Sequence, residues 1–290
     1  MDSFVCHVPE VVDSPVLFNS PHSGRLYDRC FLRQTPLSWQ EIRLSEDCYV
    51  DKFLNSAPRC GSVFVEATFP RAFVDVNRSS NEMDPKIIKG LNSTINSPKV
   101  SAGLGVIPRV VGNGLDIYKS KISYQEAENR LRNYYFPYHK KLRELIEKAV
   151  QKFGLSIVFD FHSMPHSSIR DCKEKVSEVP QIVLGDCYGS SCDSELFEKA
   201  YEVFVAGGFR VERNSPFSGG FITKNYGSPV EKVHVIQVEI DKSLYMNEED
   251  FRLHSGYEDL RLRLDAIVKS LSCMQKPKRM VHEITSLPYL

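Results

Sequence analysis

Leu155 to Phe161 form a near-continuous apolar run carrying Asp160, and His162 follows directly. Runs of this kind belong to strands buried on both faces, which is the situation of a parallel sheet covered by helices on each side. The preceding segment, Ser123 to Lys152, repeats apolar residues at three- and four-residue spacing (Leu131, Tyr134, Tyr135, Tyr138, Leu142, Leu145, Ile146, Val150), the stripe of an amphipathic helix. Pro137 should kink or split that helix, and Gly154 should stop it. Helix, glycine stop and buried strand in succession predict an α/β fold built as a three-layer sandwich.

The rest of the chain supplies further elements. Val16-Leu17-Phe18 predicts a strand that delivers His22 to a loop. Ser45-Glu46-Asp47 before Cys48 to Leu54 has the form of a capped helix start. Ser62 to Ala67 and Ala72 to Val76 are predicted strands, and 79–105 a long loop. Gln181 to Asp186 and His234 to Ile240 are further predicted strands, Ser194 to Ala206 a helix, and Asn247 to about Ser272 a last helix before a Pro/Lys-rich tail. No shift in composition marks a second domain, so residues 1–290 are expected to form one.

Charge narrows the function. Lys plus Arg and Asp plus Glu both number 37, so no global positive field gathers phosphate backbones, and nucleic-acid binding has no compositional support. No stretch approaches the roughly 20 apolar residues of a membrane helix. The first residues lack a basic segment followed by an apolar one, which predicts a cytoplasmic protein. Eight cysteines occur without a CxxC pair, so free thiols are expected in preference to disulfides or a cysteine-type zinc site.

Chemistry concentrates at strand ends. In Phe159-Asp160-Phe161-His162 the histidine is either a metal ligand or packed under a loop; a nearby Asp can hold the second nitrogen of a ligating imidazole. His22 repeats the arrangement. Two histidines do not complete a catalytic zinc site, which takes three protein ligands and leaves one position open. Glu46 and Asp47 are the nearest candidates for the third, although Asp47 also suits a helix start. Glu239, inside Val238-Glu239-Ile240, is an acid in a buried strand, explained by acid–base chemistry or by an ion pair with Lys242 or Arg78. Arg71 and Arg78 stand seven apart, at the expected ends of the 72–76 strand, and suit carboxylate recognition.

Nine blocks in order resemble N-formylglutamate amidohydrolases: NSPHSG (19–24), SEDCYVD (45–51), FPRAFVDVNR (69–78), GLGVIPRVV (103–111), YYFPYH (134–139), DFHSMP (160–165), VLGDCYGSSC (183–192), FSGGFITKNYG (217–227) and HVIQVEIDKSLYM (234–246). The resemblance implies a three-layer α/β/α sandwich with a central mixed sheet of the zinc exopeptidase (phosphorylase/hydrolase) kind. It implies Zn2+, or another divalent metal such as Mn, Fe or Co, on His22, Asp47 and His162, with Glu46 and Asp51 as alternatives to Asp47. Family members with a DTDWHVD block have threonine where this chain has Glu46. Glu239 is implied as general base, Arg71 as the group polarising the scissile carbonyl, and Asn77 and Arg78 as carboxylate binders. Arg109 is implied as a side-chain carboxylate binder, although similar sequences do not all carry it.

The implied reaction is hydrolysis of N-formyl-L-glutamate to formate and L-glutamate by a metal-activated water. A deacylase or carboxypeptidase acting on another N-acyl amino acid or small peptide, thiol chemistry at Cys48, and a silent ligand-binding relative are the alternatives. The expected partner is a small-molecule N-acyl amino acid; the oligomeric state is left open.

Overall fold

The computed structural model describes residues 3–91, 97–170 and 179–275. The Pro/Lys-rich tail from residue 276, Cys172 and part of the 79–105 loop lie outside them. The strands, in chain order, are β1 (Phe4–His7), β2 (Val16–Ser20), β3 (Val63–Ala67), β4 (Ile88–Lys89), β5 (Ile122–Ser123), β6 (Ser156–Met164), β7 (Ile182–Gly185), β8 (Val211–Arg213) and β9 (Val233–Asp241). Seven of them form one sheet in the order β1-β3-β2-β6-β9-β7-β8, while β4 and β5 form a separate two-stranded ladder. The sheet is mixed: β3, β2, β6 and β9 run parallel, and β1 and β7 pair antiparallel with β3 and β9.

Alternation along the strands assigns the two faces. Phe18, Phe159, Phe161, Ile236, Val238 and Ile240 pack on one side against the helices Ser194–Ala206 and Gly256–Ser272. Leu17, Val158 and Val235 pack on the other against Tyr138, Leu142, Leu145 and Ile146 of the helix Phe136–Phe153. Both faces are therefore covered, giving the expected three layers.

Several local expectations are corrected. Pro137 does not split its helix; Tyr124–Arg130 runs through a π-helical turn, Leu131–Tyr135, into Phe136–Phe153. The wider turn accommodates the proline, which has no N–H to give. Gly154 ends it in the left-handed conformation (φ 77°), as its position predicts. Ala72 to Val76 form no strand. The Phe73 N–H bonds the Pro70 carbonyl, and Asp75 Oδ1 accepts the Asn77 N–H at 2.8 Å, so local turns take the groups a ladder needs. Only Val50–Leu54 of the expected helix after Asp47 is helical, as a 3₁₀ turn entered through Tyr49 at φ 66°. The last helix begins at Gly256, not Asn247, because Phe251 (φ 59°) and a Met246–Leu253 bridge hold the intervening chain in a turn. The segment 79–105 also carries β4 and the short helix Pro98–Ser101. β1, β8 and the helix Phe221–Tyr226 were not anticipated.

No helix among the described residues is long and apolar enough to cross a membrane. The seven described cysteines are free thiols.

Candidate metal centre and active site

One face of the sheet changes character towards the carboxyl ends of its parallel strands. Leu17, Val158 and Val235 are side by side in register; two residues on come Asn19, Asp160 and Gln237, and two beyond those His162 and Glu239. The apolar layer thus gives way, row by row, to a buried polar one. Sites in open α/β sheets form at this end of the strands.

The loop after β2 turns His22 into the same region. Its backbone is stitched to the Asp47 segment: the Asp47 N–H bonds the His22 carbonyl at 3.1 Å, and Ser23 Oγ donates to the Asp47 carbonyl at 3.0 Å. Gly24 lets the same loop lie against the Thr68–Phe69 backbone. A Cβ there would fall 2.1 Å from the Phe69 carbonyl oxygen, well inside contact distance.

His22, Asp47 and His162 come together as a buried group whose ligand atoms lie within 4.8 Å of one another. Asp47 Oδ2 is 3.0 Å from His162 Nδ1 and 3.4 Å from His22 Nδ1. The opposite ring nitrogens are held by carboxylates: His22 Nε2 by Asp75 Oδ1 at 2.7 Å, His162 Nε2 by Asp160 Oδ2 at 2.9 Å. This is the arrangement that fixes ring orientation and tautomer in metal-binding histidines. His22 Nδ1 is buried and has no hydrogen-bond partner, an orphan that a cation would satisfy. The donor set of two imidazole nitrogens and one carboxylate suits a divalent transition metal with an open position. Asp160 is itself positioned by Asn19 Nδ2 at 2.6 Å, and Tyr138 OH donates to Asn19 Oδ1.

The electrostatics follow from this crowding. Burial alone would raise the Asp47 carboxyl, but the His162 ring bonded to it and the nearby His22 ring hold it well below the usual range. Asp75 is likewise held low, by Arg71 and His22 against its own burial. Burial disfavours the charged His162 ring, yet Asp160 and Asp47 raise it well above the usual histidine range. Glu239 differs: burial, with Asp47 nearby, lifts it to about 7, opposed by His162 and Arg71. Its Oε1 accepts from Gln237 Nε2 at 2.9 Å, and Gln237 Oε1 in turn accepts the Gly220 N–H. The ion pair with Lys242 or Arg78 considered from sequence is not formed.

The other sequence candidates separate. Glu46 is bound to Arg43 at 3.0 Å and to Tyr27 OH at 2.6 Å, and Asp51 to Arg25 at 2.7 Å, so neither joins the histidines. A cavity of about 390 Å³ opens beside the cluster, lined among others by Asp47, Arg71, Asp75, Arg78, Ser163 and Lys242. Arg71 Nη2 reaches Asp75 Oδ2 at 2.7 Å, and Arg78 bonds the carbonyls of Leu104 and Asn77. Asn77 is not on the cavity wall. Its Oδ1 takes the Ile222 N–H at 2.8 Å, and Gly220 packs so closely that a Cβ would lie 2.3 Å from its amide. Arg109 is also off the wall, paired with Asp84 at 3.1 Å and Asp116 at 3.3 Å. Glu239 is not among the lining residues; it sits one strand over from His162, opposite it in register. Cys48 is buried, donates to Glu46 at 3.0 Å, and is pushed up by burial and Glu46, so it offers no thiolate nucleophile at neutral pH.

Sequence reasoning missed Asp75 as the partner of His22, and missed Ser163 and Lys242 on the wall. The only available signal for Asp75 was an acid between two arginines in an apolar stretch.

Residues 14–246 match the family model of N-formylglutamate amidohydrolase. The chain is similar to the N-formylglutamate deformylase of Pseudomonas putida, 29% identical over 89% of this chain and 90% of that one. The Pseudomonas aeruginosa N-formylglutamate deformylase is also 29% identical, over 81% and 83%. Among solved structures, the N-formylglutamate amidohydrolase of Ralstonia eutropha JMP134 superposes with a TM-score of 0.87 at 30% identity, covering 94% of this chain and 98% of that one. An Agrobacterium tumefaciens protein, 17% identical with a TM-score of 0.65 over 93% and 94%, shares the fold.

Proposed function

The chain belongs to the N-formylglutamate amidohydrolase family, and from that premise we propose that it hydrolyses N-formyl-L-glutamate to formate and L-glutamate with a divalent metal held by His22, Asp47 and His162. The observation that carries this reading is the convergence of two imidazole Nδ1 atoms on one Asp47 oxygen, each ring fixed from behind by a carboxylate. Zinc is the proposed metal, on the strength of the two-histidine, one-carboxylate donor set.

A metal bound there supplies Lewis acidity and lowers the pKa of water towards about 7. Glu239, buried and lifted to about 7, is matched to accept a proton near neutrality and to return it to the leaving nitrogen. Arg71 lines the cavity with its guanidinium held by Asp75, and in that position it stabilises negative charge on the carbonyl oxygen. Arg78, on the same wall, receives the α-carboxylate. The interior placement of Asn77 supports a different role for it: its amide bonds Ile222 and so joins the 75–78 turn to the helix Phe221–Tyr226. Arg109, with two carboxylate partners, is not retained in the substrate site.

A panel of N-formyl, N-acetyl and dipeptide substrates tests the reading. N-Formyl-L-glutamate should be the preferred substrate. A preference for N-acetyl amino acids or dipeptides would instead assign the same centre to a deacylase or carboxypeptidase, and no turnover with retained binding would assign a silent relative.

A further inference from the structure

Three cationic side chains line the cavity, and their surroundings differ. Arg71 has a carboxylate at 2.7 Å. Arg78 is 3.9 Å from the same carboxylate and gives two donors to carbonyls. Lys242 is 5% exposed, and its Nζ donates to the Glu46 carbonyl at 2.7 Å. Among the described residues no carboxylate forms an ion pair with it. Asp241, next to it in the chain, is engaged with His166 and the Ser243 N–H, and Glu46, whose carbonyl it bonds, has its carboxylate on Arg43 and Tyr27. An ammonium carries three donors and a charge that burial penalises unless compensated. One neutral carbonyl does not provide that.

A further cation stands near the wall without lining it. Lys99 is pushed below the usual lysine range by burial and by the guanidiniums of Arg78 and Arg71. The two less-compensated cations also enter from separate elements: Arg78 from the turns after β3, Lys242 from the end of β9. A ligand with two anionic groups meets both.

We propose that Lys242 binds the side-chain carboxylate of the substrate and so makes the site selective for acidic N-acyl amino acids. This rests on the amidohydrolase reading above, and assigns to Lys242 the role that sequence gave to Arg109. A compact point charge on a flexible stem suits a carboxylate at the end of a mobile side chain, whereas the planar fork of Arg78 suits the fixed α-carboxylate.

The test compares kcat/KM for N-formyl-L-glutamate and its neutral isostere N-formyl-L-glutamine, in the metal-loaded wild type and in Lys242→Met, which keeps the apolar stem. The wild type should favour the glutamate substrate, and Lys242→Met should reduce that preference roughly tenfold to a hundredfold, mostly through KM. Lys242→Gln provides the same comparison should the methionine variant fail to fold. Equal losses on both substrates would overturn the role of Lys242 while leaving the amidohydrolase reading intact. Wild-type protein that cleaves neither substrate would remove both, without recourse to a variant. As a check independent of mutation, L-glutamate should inhibit the wild type at least about tenfold more tightly than L-glutamine; equal inhibition would also overturn the proposal.

Discussion

Asp75 Oδ1 lies 2.7 Å from His22 Nε2, and both side chains are buried. The bond leaves His22 Nδ1 facing Asp47 with a lone pair and no other partner. Asp75 also holds Arg71 through its second oxygen, so one carboxylate orients both a candidate ligand and a candidate catalytic arginine.

Replacing Asp75 with Asn keeps the shape but lets the imidazole tautomer and the Arg71 pairing relax. Metal affinity should fall about 10- to 100-fold, the usual consequence of losing such a partner, and turnover should fall even at saturating metal. Metal titration of Asp75→Asn against wild type measures it; identical affinity would show that His22 does not use Nδ1 as a ligand.

Glu239→Gln should retain metal and lose about 10²–10⁴ in turnover, the typical contribution of a general acid–base group. The wild-type kcat/KM should rise with pH as Glu239 loses its proton, with a midpoint between the ordinary 4.5 and about 7, since a bound cation draws the value down. The residual activity of the Gln variant should be flat across that window.

The same group makes a stability prediction. A carboxyl raised in the folded state binds more protons folded than unfolded, so its contribution is present below about 4.5 and is lost as pH rises through about 7. Metal-free Glu239→Gln should therefore be more stable than wild type at pH 8, on the order of 3 kcal/mol, and nearly indistinguishable near pH 4.5. Equal stability at pH 8 would contradict the buried, raised carboxyl.

His139 works in the opposite sense. It bonds the Val76 carbonyl at 2.9 Å and Tyr226 OH at 2.8 Å, supporting the turn that carries Asn77 and Arg78. Burial lowers its pKa from 6.5 to about 4, so the unfolded state takes up the proton first and stability is lost as pH falls between those values. The loss should be on the order of 3 kcal/mol, and urea denaturation of His139→Gln should show a shallower slope over the same range.

The sheet and its helices were legible where pattern and burial agree: the runs around Val16, Ile157 and Val235, and the stripe from Leu131 to Val150. The histidines were legible because each follows such a run. What could not be read was anything decided by turns. The Ala72 to Val76 segment has strand composition, but Asp75 captures the Asn77 N–H and the chain turns, which is what delivers Asp75 to His22. Similarly, Asp47 has the form of a helix start, and only the bonds to the His22 carbonyl and Ser23 show that it faces the histidines. The pairing of Arg109 was hidden for the converse reason: Asp84 lies 25 residues away, and the contact is invisible until the loop is folded. The resemblance implied Asn77 as a carboxylate binder, whereas its amide bonds the Ile222 N–H of a helix that the sequence pattern does not announce.

The most direct test of the central claim is formate release from N-formyl-L-glutamate by one preparation, measured as purified, after exhaustive chelation, and after return of stoichiometric Zn2+. Activity should disappear with the metal and return with it in the wild type, and should not return in His22→Ala, Asp47→Ala or His162→Ala. Full activity in the chelated protein, or zinc-restored activity in those variants, would contradict a metal centre built on these three residues.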